Sequence, residues 1–157
     1  TDNVQIIQNW DHLVILNEMV HDARIVPLDE EGELDPAIGL WSGDSRGYWE
    51  GETLVVVTRN FNGLTQSFEG YGSSQHKTLV ERFTRVGAAA IDYEFLIEDP
   101  ATFTDSIKVM LPLIKVEAQL YEYACHEGNY GMANMLRAAR ATEASAEIDR
   151  VADLFRR

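Results

Sequence analysis

Cysteine is nearly absent: Cys125 stands alone in 157 residues, so no internal disulfide can brace the fold. A chain of this length buries roughly two-thirds of the surface its unfolded form exposes, so none is required. Cys125 reads first as a small hydrophobe on a strand; a partner outside the chain and a reactive thiol are the other readings. No apolar run approaches the ~18–20 residues of a membrane-crossing helix, and no membrane span is expected. Positive charge is scarce, with 13 basic against 26 acidic residues and a net charge of −13. That balance argues against a nucleic-acid groove and against an anionic membrane surface. There is no glycine-rich phosphate loop, no nucleophile elbow and no His-Glu-x-x-His, so no cofactor is expected. The chain starts at Thr1 without an initiator Met or a signal-peptide pattern, as expected of a processed or trimmed product.

What is present is strand pattern broken by turn chemistry. Residues 4–8 form a short apolar run closed by Asn9-Trp10-Asp11, and residues 12–20 and 23–28 continue as extended segments. Residues 29–45, rich in Asp, Glu, Gly and Pro, read as an acidic loop. Residues 46–50 and 53–61 flank Gly51-Glu52, a two-residue hairpin turn with glycine first. Residues 62–75 are a second loop. Residues 78–86 and 90–98 alternate with strand period, and Asp99-Pro100 stops the second. Residues 106–116 form a further strand that Pro112 marks as an edge or a bulge, and residues 120–127 form the last. From Met132 to Arg157 neither Gly nor Pro occurs. Asn129 would cap a helix there, with Leu136, Ala139, Ile148, Val151, Leu154 and Phe155 as its apolar stripe, unless residues 141–145 divide it in two.

The expected fold is therefore mostly β: an antiparallel meander closing into a lipocalin-like (calycin-like) barrel or a bent sheet, with a C-terminal helix. It forms a single domain over residues 1–157 with a helical tail from about residue 130. Closure is expected because it removes exposed strand edges.

Three segments carry more polar groups than a strand needs. In the first, Glu18, Asp22 and Arg24 share one face of a regular strand and His21 takes the other; inside a barrel these charges must be paired with each other or with a ligand. In the second, Tyr121, Tyr123, Cys125 and Glu127 alternate with His126, just before a helix start that includes Asn129 and Tyr130 and offers free N–H groups. In the third, Asp44, Arg46, Trp49 and Glu50 lead into the hairpin. Glu81, Arg82 and Arg85 opposite Asp92, Glu94 and Glu98 read as structural cross-strand ion pairs. His12 and His76 lie in turns and carry no role.

Several blocks together resemble a known family. Gly43 to Val56 (GDSRGYWEGETLVV), Glu18 to Leu28, Val80 to Val86 and Tyr121 to Gly131 (YEYACHEGNYG) are similar to a family of uncharacterised, usually exported bacterial proteins. The likeness runs from near Val4 to about Arg140. It implies a periplasmic or extracellular protein, and an N-terminal segment that this chain lacks. It implies no activity.

Three functions fit these residues. The first is a cofactor-independent lyase, isomerase or hydrolase acting on a small, partly apolar molecule. Its catalytic groups would be His126, Glu127, His21 and Asp22, with Arg24, Glu18, Trp49, Tyr123 and Tyr130 binding substrate. No metal is assigned, and a divalent ion between His21 and His126 is a lesser alternative. The second is a lipocalin-like binding protein without chemistry. The third is an assembly subunit, a homo-oligomer formed through the C-terminal helix. An apolar cavity would favour the second, and titratable groups converging in one pocket the first.

Overall fold

The computed structural model describes residues 3–28, 32, 34–65, 72–123 and 130–154, with side chains as far as residue 147. The chain divides into two compact units, Thr1–Glu122 and Tyr123–Arg157.

Among the described residues, the first unit holds eight antiparallel strands in two sheets. Strands β1 (Val4–Gln8), β2 (His12–Asn17) and β3 (Ala23–Pro27) form one sheet. Strands β4 (Asp44–Glu50), β5 (Thr53–Arg59), β6 (Thr78–Gly87), β7 (Ala90–Glu98) and β8 (Ile107–Ile114) form the other, each beside its neighbour in sequence. Gly51, with φ of 61°, opens the two-residue turn between β4 and β5, where a side chain would strain the backbone.

Register determines which residues turn inward. In the small sheet Ile6 faces Ile15 and Ile15 faces Arg24, while Gln8 faces Leu13 and Leu13 faces Val26. In the large sheet one row crosses Trp49, Leu54, Phe83 and Tyr93, and the next crosses Gly47, Val56 and Glu81. Because side chains alternate along a strand, directly opposed residues share a face. The two inward faces meet in a core of Leu13, Ile15, Val26, Leu54, Val56 and Phe83. At Gly47 a Cβ would stand 2.8 Å from Leu28 Cδ2 and 3.1 Å from Val26 Cγ1, so glycine is what lets β3 lie this close to β4.

Among the described residues the strands do not close into a hydrogen-bonded barrel; the two sheets remain separate, and a bent sheet is consistent with them. Between the outer edges of β1 and β8 lies a groove of about 890 Å³, bordered also by residues 118–120. Pro112, which has no N–H to donate, sits on β8 at that edge, as its place in the sequence suggests.

Two segments differ from expectation within the described residues. Strand β2 ends at Asn17, and a short 3₁₀ turn, Met19–His21, replaces the rest of the expected strand. Residues 120–123 are not in a strand; residues 124–129, and with them Cys125 and Asn129, lie outside the described residues.

Among the described residues, the second unit contains one helix, α1 (Gly131–Leu154). The Tyr130 carbonyl accepts the first helical bond, from Asn134 N–H at 2.9 Å. The helix runs unbroken through residues 141–145. There Thr142 and Ser145 hydroxyls donate to the carbonyls of Ala138 and Ala141, at 3.0 and 2.9 Å, and stay compatible with the helix. Side chains from residue 131 to 147 are all exposed, Leu136 among them; those of Ile148, Val151, Leu154 and Phe155 lie outside the description.

Candidate binding site

Two inward-facing charges meet between the sheets. Arg24, on β3, pairs with Glu81, on β6: Nη2 donates to Oε1 at 2.9 Å and Nη1 lies 2.6 Å from Oε2. Only 5% of the Glu81 side chain and 16% of the Arg24 side chain is exposed. Tyr93 donates its hydroxyl to Glu81 Oε1 at 2.8 Å, and Arg24 Nη1 donates to Thr58 Oγ1 at 3.3 Å. Thr58 in turn shares a 2.8 Å hydroxyl contact with buried Ser45. Burial works against the Arg24 charge, but the Glu81 carboxylate outweighs it and holds the guanidinium more firmly protonated than usual. Burial, with the same carboxylate beside it, pushes the Tyr93 phenol well above its ordinary range. Tyr93 is thus a fixed donor and Arg24 a fixed cation, and each is engaged within the protein.

The other half of the intersheet space is open and apolar. A cleft of about 660 Å³ is lined by Ile6, Leu13, Trp49, Leu54, Phe83 and Ile91, with Gln8, Glu52 and Arg85 at its rim. The β1–β2, β4–β5 and β6–β7 turns gather at this end, because Gln8, Trp49 and Arg85 each lie within three residues of a strand terminus there. Trp49 is 49% exposed, whereas Phe83 beneath is 8% exposed and stacks on Tyr93 with ring centroids 4.9 Å apart. The cleft floor therefore rests on the Arg24–Glu81–Tyr93 network.

Within the first unit, the residues singled out from the sequence do not converge. Glu18 fastens the start of β1, accepting from Asn3 Nδ2 at 2.7 Å. His21 is exposed in the 3₁₀ turn, and Asp22 accepts from Ser42 Oγ at 3.0 Å. Because β2 ends at Asn17, Glu18, Asp22 and Arg24 do not share a strand face, contrary to the regular-strand expectation. Glu18, His21 and Asp22 sit at the β2–β3 connection, the end of the small sheet opposite the turn that follows Gln8. Among the described residues named in the first unit, Trp49 alone lines the cleft. Tyr123 and Tyr130, both exposed, belong to the second unit. His126 and Glu127 lie outside the described residues. Among the described residues, no group of three or more His, Cys, Asp or Glu side chains is placed to hold a metal.

The expected ion pairs in the large sheet also shift. Arg82, opposite Glu94 in register, bonds Glu50 at 2.6 Å, and Glu94 takes Lys108 at 2.9 Å. Glu81 leaves that set to face inward, and with Tyr93, Phe83 and Arg85 it was not read from the sequence as part of a site. One signal was available: Leu79, Glu81, Phe83 and Arg85 share parity on β6, so two charges occupy the apolar face of an alternating strand. No protein-family model, curated protein or solved structure matches this chain.

Proposed function

We propose that this protein binds a small, partly apolar molecule in the cleft between β1–β2 and β4–β7, as a carrier without chemistry of its own. One observation carries the reading: the apolar side chains Leu13, Trp49, Leu54 and Phe83 face an open cleft of about 660 Å³, while the deep charges Arg24 and Glu81 bond each other. That volume lies within the roughly 300–1,000 Å³ of small-molecule sites. Acid–base turnover would need titratable groups converging in the cleft, and among the described residues its two charged side chains, Glu52 and Arg85, are both exposed at the rim. The carriage is lipocalin-like in kind, with two facing sheets in place of a closed barrel. Export to the periplasm or beyond belongs to the same proposal, since it rests on the family resemblance alone. A homo-oligomer through α1 is supported by exposed Met132, Met135 and Leu136, and sedimentation over a concentration series tests it.

The test is titration with N-phenyl-1-naphthylamine, a neutral apolar dye that brightens out of water. Wild type is expected to bind it, and Trp49→Ala to weaken binding by about tenfold, or 1.4 kcal/mol. Leu54→Arg, which fills the cleft with a charged side chain, is expected to abolish it. No brightening with wild type, or equal affinity in all three proteins, would refute a ligand site here.

A further inference from the structure

Next to the main cleft lies a second, smaller one of about 190 Å³, between β1 and the β6–β7 turn and reaching β8. The two share Ile6, Arg85 and Ile91, so they adjoin along one line of residues. Their chemistry differs. The main cleft is walled by aromatic and aliphatic side chains with Glu52 at its rim. The smaller is lined by Arg85 and Lys115 with apolar and alanine residues, and among the described residues no acidic side chain lines it. In a chain of net charge −13, this is a local cationic site at the end of an apolar trough.

Its two cations are not equivalent. Lys115 Nζ already bonds Glu117 Oε1 at 2.7 Å. Arg85 forms no ion pair with a described residue, although Glu52 lies just past the last β5–β6 pair, Thr53 opposite Thr84, on the same side of the sheet. A bulge between Arg85 and Gly87 breaks the regular ladder there. A guanidinium presents a planar fork of donors that matches a carboxylate.

We infer that the ligand is an amphipathic monocarboxylate, its apolar body against Trp49, Leu54 and Phe83 and its carboxylate on Arg85. The inference rests on the binding function proposed above. One negative charge suits the site: charges beyond about 8 Å are largely screened at physiological salt, so Arg85 governs the contact, while the acidic surface disfavours a polyanion.

Calorimetric titration of the full chain with decanoate, decanol and decyltrimethylammonium, which share one tail, tests it. Decanoate is expected to bind about tenfold more tightly than decanol, and decyltrimethylammonium more weakly than decanol. In Arg85→Gln the decanoate-to-decanol ratio should fall to about one, while in Lys115→Gln it should persist. Arg85 is exposed, so the folded state of the variant can be checked by its thermal melt. Equal binding of decanoate and decanol to wild type would overturn the carboxylate assignment and leave the cleft as a neutral-ligand site. A preference that survives Arg85→Gln overturns the anchor. Failure of all three probes, with no binding of the neutral dye either, overturns the binding function itself.

Discussion

The same pair of sheets encloses two unlike halves. Toward the β2–β3 connection, Arg24, Glu81, Thr58 and Ser45 turn inward and bond one another, and Val26 and Val56 are fully buried around them. Toward the β4–β5 turn, the inward residues are apolar and part of their surface faces the cleft, Trp49 most of all. The contrast shows why polar residues in a β interior are poor guides to a binding site. A buried charge persists only when it is paired, so the most conspicuous polar groups are also the most occupied. Apolar groups have no such requirement, and where their packing stops, a ligand can continue it.

The strongest way to break the contrast is to remove one member of the ion pair. Glu81→Ala leaves Arg24 buried without its carboxylate and should destabilise the fold by about 3–5 kcal/mol in urea denaturation. Replacing both partners with apolar residues, Arg24→Met with Glu81→Leu, should recover most of that loss. If Glu81→Ala is neutral, the polar half is not the closed region described above.

In the open half, Phe83→Ala should cost about 3 kcal/mol because Phe83 packs on Tyr93 and the core. Trp49→Ala removes a larger ring yet should cost less than about 1 kcal/mol, since half of it is already in water. Comparable losses at the two positions would mean that the cleft is packed in solution.

Asp99, where β7 ends, adds a pH dependence outside both halves. Burial raises its carboxyl, but hydrogen bonds from Ser74, Thr102 and the Ala101 backbone outweigh that and hold it below the usual carboxylate range. A depressed carboxylate contributes stability that is fully present above the unfolded value of about 4 and is lost as pH falls through the lower folded value. Asp99→Ala should cost about 2 kcal/mol at neutral pH, and its thermal melt should depend less on pH below about 4 than that of wild type.

The smallest effect is expected at Val20, whose φ of 66° places a β-branched residue in the left-handed region. Val20→Gly should raise stability by about 0.5–1 kcal/mol, with dye affinity unchanged because the turn is remote from the cleft. A drop in stability would show that the turn is held by contacts of the Val20 side chain.

Much of the strand order was legible because alternation and turn chemistry are local. β1 closes at Gln8 before Asn9-Trp10-Asp11, and β7 stops before Asp99-Pro100, as the residues suggest. Gly51-Glu52 forms the expected turn, and α1 is one helix from Gly131. The end of β2 at Asn17 was not legible, since Val20 favours a strand as strongly as Val14 or Ile15 does. The candidate site was barely legible, with Trp49 the one foreseen residue of the first unit that is described at the cleft.

By itself, then, the sequence determined the elements of this protein: strands by alternation, turns by glycine, asparagine and proline, and a helix by composition. Each of those preferences is settled within a few residues of chain. Only the tertiary structure decided that Arg24 would meet Glu81, 57 residues away, and that Ile6 would face Phe83 across a cleft. Pairing between sheets depends on register and on which strand edges stay apart, and a single residue of slip would reverse every face. Local pattern assigns each residue a parity, and only the packed sheets decide what that face meets.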